Sequence, residues 1–315
     1  MFCICKNTKN MESQDNSIKK NRGTIVYKLA LLLSAALWGC SFIFTRSLLD
    51  TEPHMTPFIL MMGRLAFATL FFIPILALTH RLERIHGKDI LFFLVLAFFE
   101  PFLYSIFETL GVKIAGSVLS SIVVATIPLF VPFGMALVFK ERLKPLVIVG
   151  VALSLVGIVL MMLGPDMQIG TDPLGILFLS LAVLIAIAYT LTLSRVLQRY
   201  QPVTITAYQN LIGLIYFIPI VFLKDRADFL QLSFSAPMFL QLAFLGVLCS
   251  TVAYVCFNYG MKKSNPTAAS VYNNLIPVFS VLLAVAIGQE TLSPWTKVLG
   301  MAVVLVGLFL AQGKK

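Results

Sequence analysis

Charge is what this sequence has least of. Only 12% of its 315 residues are Asp, Glu, Lys or Arg, while 59% are hydrophobic. A soluble domain carries roughly 25% charged residues, because its surface must face water. A soluble fold of this composition would need a core larger than the protein. Cysteine chemistry is lacking too: Cys3, Cys5, Cys40, Cys249 and Cys256 form no CxxC pair and no Cys/His metal spacing, so neither a disulfide framework nor a zinc site is implied. There is no Ser/His/Asp set, no phosphate-binding Gly loop and no Walker motif, and His54, His80 and His86 all fall in or beside loops. No catalytic residue, metal site or cofactor is expected, and ATP-driven pumping within this chain is excluded. The first 24 residues lack the apolar stretch and cleavage site of a signal peptide. They are expected to form a disordered cytoplasmic tail (residues 1–25), and Met11 offers a second plausible start.

What is present is apolar length. A helix needs ~20 apolar residues to span the hydrocarbon of a bilayer. Ten segments qualify: 26–49, 57–78, 90–111, 115–138, 145–163, 173–193, 203–223, 237–259, 266–288 and 295–312. Pro57, Pro145 and Pro294 stand at or before helix starts, where a missing N–H costs little. Pro74, Pro128, Pro219 and Pro277 fall inside spans, which tolerate them when buried neighbours satisfy the freed backbone. The formal net charge of +10 gathers in short loops. With the N-terminus inside, Lys and Arg crowd every cytoplasmic loop, and Asp50, Glu52, Asp166, Asp172, Asp225, Asp228 and Glu290 fall outside. This is the positive-inside pattern. It places both termini in the cytoplasm and makes nucleic acid an unneeded explanation of the charge.

The chain also repeats itself. Residues 111–145 align without a gap onto 260–294, so that Gly111, Lys113, Ser121, Ile127, Pro128, Phe130, Glu141, Leu143 and Pro145 recur at one offset. Upstream, 56–75 matches 201–220, each ending in FIPI, and VGIVLM (156–161) echoes VGLFLA (306–311). The expected domains are a first five-helix repeat (26–163), an outside linker (164–172) and a second five-helix repeat (173–312). Five is odd, so the second repeat must cross the membrane in the opposite sense. The resulting fold is all-α, with ten transmembrane helices in two inverted-topology repeats. Duplication can simply build a bundle, but inverted repeats are associated with alternating access around a site near the midplane.

The same residues carry a resemblance. WGCSFIFTR (38–46) and the two junctions FKERLKP (139–145) and GQETLSP (288–294), each with a glutamate, resemble the EamA-type family of the drug/metabolite transporter superfamily. The resemblance covers roughly residues 27–312. It implies a ten-helix inverted-repeat transporter of small metabolites, amino acid-like or drug-like, in a cell inner membrane. Arg46 departs from the Lys that similar chains often have, and carboxylates inside helix 3 are not a general mark of the family.

Ionisable groups within a span are costly unless they face a partner or water. Arg64 lies seven residues into helix 2, Glu100 near the middle of helix 3 and Glu108 about a turn from its end. An Arg64–Glu108 ion pair pinning helices 2 and 3 is one reading, and snorkelling accounts for Arg46. Glu100, at a depth with no cation of its own, suits a proton-carrying site. Glu100, Tyr104 and Glu108 share a stripe at i, i+4, i+8 spacing. Ser34, Trp38, Ser41 and Thr45 share a face of helix 1, and Ser117, Ser120 and Ser121 one of helix 4, where small residues let helices approach. Ser250, Tyr254 and Asn258 line one face of helix 8; Ser270, Asn273 and Asn274 line one of helix 9. The expected cavity residues are therefore Trp38, Tyr104, Tyr254, Asn258, Asn273 and Asn274, and Arg64, Glu100 and Glu108 are expected to couple or pair. The function this predicts is secondary transport or export of a small metabolite by alternating access, with protons as the expected coupling ion. Its expected partners are a small-molecule solute and the lipid bilayer, and the chain is expected to act as a monomer or homodimer. The alternative is a non-transporting membrane protein, such as a lipid-modifying enzyme or receptor subunit, which would need catalytic groups clustered at the membrane surface.

Overall fold

The computed structural model describes residues 2–139, 145–162, 172–264, 266–288 and 295–311. Every regular element among them is helical. Ten helices follow the expected order: α1 (Phe2–Thr51), α2 (Pro57–Leu78), α3 (Gly87–Ala115), α4 (Ser117–Val138), α5 (Pro145–Met162), α6 (Pro173–Val196), α7 (Pro202–Lys224), α8 (Ala236–Lys263), α9 (Ala268–Ala286) and α10 (Trp295–Ala311). Eight contain runs long and apolar enough to cross a membrane, and α5 and α10 supply the shorter fifth member of each half. All of the linker 164–172 but Asp172, and the glutamates of the two family-like junctions, Glu141 and Glu290, lie outside the described residues. Helix α1 starts at Phe2 and so runs through the segment 2–25 that precedes the first span. That stretch has no proline and a single glycine, Gly23, so nothing local stops a helix from propagating through it.

The packing obeys the repeat. Under exchange of the halves (1↔6, 2↔7, 3↔8, 4↔9, 5↔10), each major contact maps onto another. Helix α3 packs on α6, as α8 packs on α1; α2 packs on α8, as α7 packs on α3; α4 packs on α6, as α9 packs on α1. The pairs α2–α7, α4–α9 and α5–α10 lie across the pseudo-two-fold axis itself. Matched glycines make the close approaches. A Cβ on Gly111 would lie 2.5 Å from the Leu179 side chain, and one on its repeat mate Gly260 would lie 2.4 Å from that of Leu31. Membrane helices gain little from burying apolar surface against each other, so close backbone approach and van der Waals packing hold them together. Gly260→Ala should therefore destabilise by about 1–3 kcal/mol through overpacking, and Leu31→Ala in the same chain should recover part of that loss. SDS titration in mixed micelles measures both; equal losses with and without Leu31 would disprove the contact.

Prolines set where the helices break. Pro74 and Pro219 stay within continuous α2 and α7. Pro128 and Pro277 instead sit at the second position of a resumed helix, after interruptions at Ala125–Thr126 in α4 and 271–275 in α9. Proline has no N–H to donate and its ring crowds the carbonyl four residues back, whereas at the start of a helix neither matters, so the matched Ile-Pro dipeptides sit where matched helices resume. A further break comes from Pro101, which is not among the four prolines singled out above. Glu100, directly before it, is extended (φ −142°, ψ 121°) and divides α3. In α8 the matched stretch Phe244–Val252 loosens into wide i→i+5 turns, a distortion common at functional sites.

Candidate functional site

Breaking a helix within a membrane frees carbonyls that must find donors. Continuing the repeat offset upstream (260 − 111 = 149) sets Glu100 opposite Cys249, and both carbonyls are capped from other helices. Gln209 Nε2 on α7 donates to the Glu100 carbonyl at 2.9 Å, and Trp38 Nε1 on α1 donates to the Cys249 carbonyl at 3.2 Å. Next to the latter, Asn210 Nδ2 donates to the Ser250 carbonyl at 3.2 Å. The residues matching Arg64 and Leu65 at the other repeat offset (201 − 56 = 145) are thus Gln209 and Asn210. Arg64 itself crosses to the α8 break, where its Nε donates to Ser250 Oγ. Positions 64 and 209 each tie their helix to the interrupted helix of the other half.

Between the breaks lies a cavity with about 70 Å³ open to the centres of water molecules, room for several waters. Helices α1–α4 and α6–α9 all line it, and among the described residues none of α5 or α10 does. Its charged groups come from the first half: Arg64 on α2, and Glu100 and Glu108 on either side of the α3 break. Glu100 is 5% and Arg64 6% exposed. The Tyr254 hydroxyl of α8 donates to Glu100 Oε1, joining the halves at the carboxyl. Tyr104 OH donates to Glu108 Oε1 at 3.0 Å. Trp38 meets Tyr254 edge-on, with ring centroids 5.0 Å apart, and Phe257 at 5.1 Å. The indole is both part of the cavity wall and the cap of the α8 break.

The cavity brings together Trp38, Tyr104, Tyr254 and Asn273 with Arg64, Glu100 and Glu108. Two expected members stand outside its lining. Asn258 is wholly buried one turn beyond Tyr254, and its Nδ2 donates to Thr206 Oγ1 at 3.1 Å. Asn274 is separated from Asn273 by the tightened turn at 271–275, in which successive residues point ~120° apart. The Arg64–Glu108 contact pair is also absent from the ion pairs of the described residues. Arg64 turns to Ser250 and Glu108 to Tyr104, and the two charges act on each other only across the cavity. Arg46 does not simply snorkel. It pairs with Asp50 at 2.6 Å and donates to the carbonyls of Val112 and Lys113 at the end of α3, where the helix dipole favours a cation. Among the residues not anticipated, Gln209, Asn210, Thr206, Tyr189, Thr190 and Ser105 also line the site. The Gln-Asn pair inside the second FIPI-bearing span was the signal available in the sequence. No three His, Cys, Asp or Glu side chains among the described residues are placed to share a metal ion.

Polar networks close both ends of the bundle and join the halves. At one end Thr56 donates to Asp225, and His54 meets Asp228 at 3.0 Å. At the other, Asp89 binds Arg199 Nη1 at 2.6 Å and Tyr200 OH at 2.8 Å, while Glu83 accepts from the Gln201 backbone N–H at 2.8 Å.

Comparison with known proteins agrees with this architecture. The model of the EamA-like transporter family matches residues 26–163 and 173–312, one match per repeat. An uncharacterized transporter of Archaeoglobus fulgidus is 27% identical over 290 residues, 91% of this chain and 97% of its own. The uncharacterized transporter YcxC of Bacillus subtilis is 28% identical, over 92% of this chain and 93% of its own. A solved crystal structure superposes with a TM-score of 0.65 at 18% identity, covering 89% of this chain and 98% of that one, a likeness of fold.

Proposed function

Since the chain belongs to the EamA-like transporter family, we propose that it is a proton-coupled secondary transporter of a small polar metabolite. It works by alternating access in a cell inner membrane, with both termini cytoplasmic. The observation that carries this reading is the Glu100–Tyr254 hydrogen bond, which joins an interrupted helix of one half to the interrupted helix of the other inside a cavity lined by both. A carboxyl near the midplane is tolerated only when protonated, hydrated or paired. Rocking one half against the other changes its access to water and its distance from Tyr254, and hence its proton occupancy. Arg64, Tyr104, Glu108 and Tyr189 also act on this carboxyl or its tyrosine partner and set the conditions under which it exchanges a proton. The networks at the two ends, Thr56–Asp225 and Asp89–Arg199–Tyr200, are placed to open in turn.

Vesicles filled with a pH-sensitive dye test transport. Purified protein reconstituted into them should convert addition of at least one small metabolite, from a panel including amino acids, into a change of internal pH absent from empty vesicles. Silence across the panel, in both pH and isotope-exchange assays, would count against the reading. Orientation is tested separately in cells. A cysteine at Leu230, 70% exposed beyond α7, should react with an impermeant thiol reagent from outside, and one at Lys88 should not. The reverse pattern would invert the topology without touching the fold.

A further inference from the structure

The two ends of the bundle are closed by one device that the repeat builds twice, with a telling change of residue. At the offset that sets Thr56 on Gln201, the loop His54-Met55-Thr56 before α2 matches Arg199-Tyr200-Gln201 before α7. Each loop reaches across to the other half through the same three positions. The middle residue is a buried plug. Met55 belongs to an apolar cluster with Phe217, Val221 and Met238, and buried Tyr200 meets the Phe93 ring at 5.1 Å. The third residue binds an acid: Thr56 donates from its hydroxyl to Asp225, and Gln201 from its backbone N–H to Glu83. The first residue faces a carboxylate. Arg199 Nη1 lies 2.6 Å from Asp89, and His54 Nδ1 lies 3.0 Å from Asp228.

What differs between the ends is titration. A guanidinium stays charged throughout the physiological range, whereas histidine changes charge between about pH 5 and 8. The Arg199–Asp89 contact is an ion pair across that range; the His54–Asp228 contact becomes one only in acid. His86 at the inner end does not cancel the contrast, because its ring faces the Tyr200 hydroxyl at 3.4 Å and not a carboxylate. The other charged groups about the outer loop have separate engagements. Asp50 holds Arg46, Glu52 accepts from Ser235 Oγ at 3.3 Å, Asp225 accepts from Thr56, and Lys224 stands 5.9 Å over the Phe58 ring. Arg226 is exposed on the same α7–α8 connection as Asp228. Resting on the alternating access and orientation proposed above, we propose that the outer closure is a pH-operated latch. Protonation of His54 from outside holds the outer mouth shut and biases the protein toward its inward-open state. Closure and protonation favour each other by linkage. The two side chains are 36% and 44% exposed, so water screens the pair, and its expected effect is a change of about 2- to 5-fold in the closed-to-open ratio. Acid surroundings thus restrain outward opening at the mouth, separately from any proton carried at Glu100.

Distances between paired spin labels on the full chain in lipid nanodiscs test the latch, with the native cysteines replaced. Labels at exposed Thr51 and Leu230 span the outer mouth, and labels at exposed Lys88 and Gln198 span the inner one. Lowering the pH from about 8 to about 5.5 takes histidine through its charge change. The closed-to-open ratio of the outer pair should rise about 2- to 5-fold more in the protein with His54 than in His54→Gln, and the inner pair should open to match. His54→Arg installs the residue found at the repeat mate. It should be as closed outside near pH 8 as the His54 protein is near pH 5.5. Arg199→His should make the inner pair loosen on raising the pH. An equal pH response in His54→Gln and the His54 protein overturns the latch, as does a His54→Arg protein no more closed near pH 8 than the His54 one. Position 54 is half-exposed on a loop, and its two replacements are judged independently, so a poorly folded one leaves the other to decide. No solute enters the measurement and both faces see one pH, so a failed latch leaves transport and orientation standing. A silent solute panel in the dye-filled vesicles, beside an intact latch response, sinks transport alone.

Discussion

Glu100→Gln is expected to reduce the response of flux to an imposed pH gradient to that of empty vesicles, while protein yield and thermal stability stay near those of the unmodified chain. Glutamine keeps the size of the side chain and an oxygen to accept from Tyr254, but it cannot bind and release a proton. The Gln209 cap is made to the Glu100 backbone carbonyl, so the α3 break itself should survive the change. Exchange of solute down its own gradient should therefore persist and only the coupling should disappear. Tyr254→Phe is the companion experiment. It removes one hydrogen bond to a carboxyl that can still titrate, so it should move the pH of half-maximal flux without abolishing the response to a gradient. Full pH-driven transport in Glu100→Gln would assign coupling to another group, with Glu108 the first to examine. A Glu100→Gln protein that unfolds would instead assign Glu100 a purely structural role.

The architecture was legible because it is written in patterns that survive without coordinates. Apolar runs of membrane-spanning length, and a gapless match of 35 residues (111–145 onto 260–294), specify ten helices and their inverted pairing. Residue identity and depth likewise pointed to Arg64, Glu100, Glu108, Trp38, Tyr104, Tyr254 and Asn273, all of which line one cavity. What stayed hidden depends on where a helix stops being regular. Extrapolating an ideal 3.6-residue period from Tyr254 keeps Asn258 on the same face, and straight continuation of α9 keeps Asn273 and Asn274 together. Asn258 does share a regular helical stretch with Tyr254, but it is wholly buried against Thr206 of α7, and only the tight turn at 271–275 parts Asn274 from Asn273. Pro101 carried this information for α3: a Glu-Pro step in mid-span predicts an extended glutamate and a free carbonyl. The donors that answer such carbonyls, Gln209 and Trp38, lie 109 and 211 residues away from their acceptors. No local pattern can point across that distance.

Arg64 should prove the most costly side chain in the cavity to remove. Arg64→Met is expected to destabilise the protein by about 3 kcal/mol, because removing one member of a buried set of charges leaves the rest uncompensated. The site holds two carboxylates within reach of this one cation, and the break in α8 would lose its donor to Ser250. The guanidinium and Glu108 are not in contact, yet charge–charge interaction falls off slowly where the dielectric is low. Glu108→Met introduced together with Arg64→Met should therefore recover about 1 kcal/mol or more in a double-mutant cycle read by SDS titration. Ser250→Ala should behave differently. It removes the hydrogen bond but leaves the charges balanced, so its cost should be that of an ordinary interhelical hydrogen bond in a membrane, ~0.6–1.7 kcal/mol. Strictly additive losses for Arg64 and Glu108 would show that Glu108 does not balance the guanidinium. The cation would then be held for the solute, and its removal should weaken binding far more than it weakens the fold.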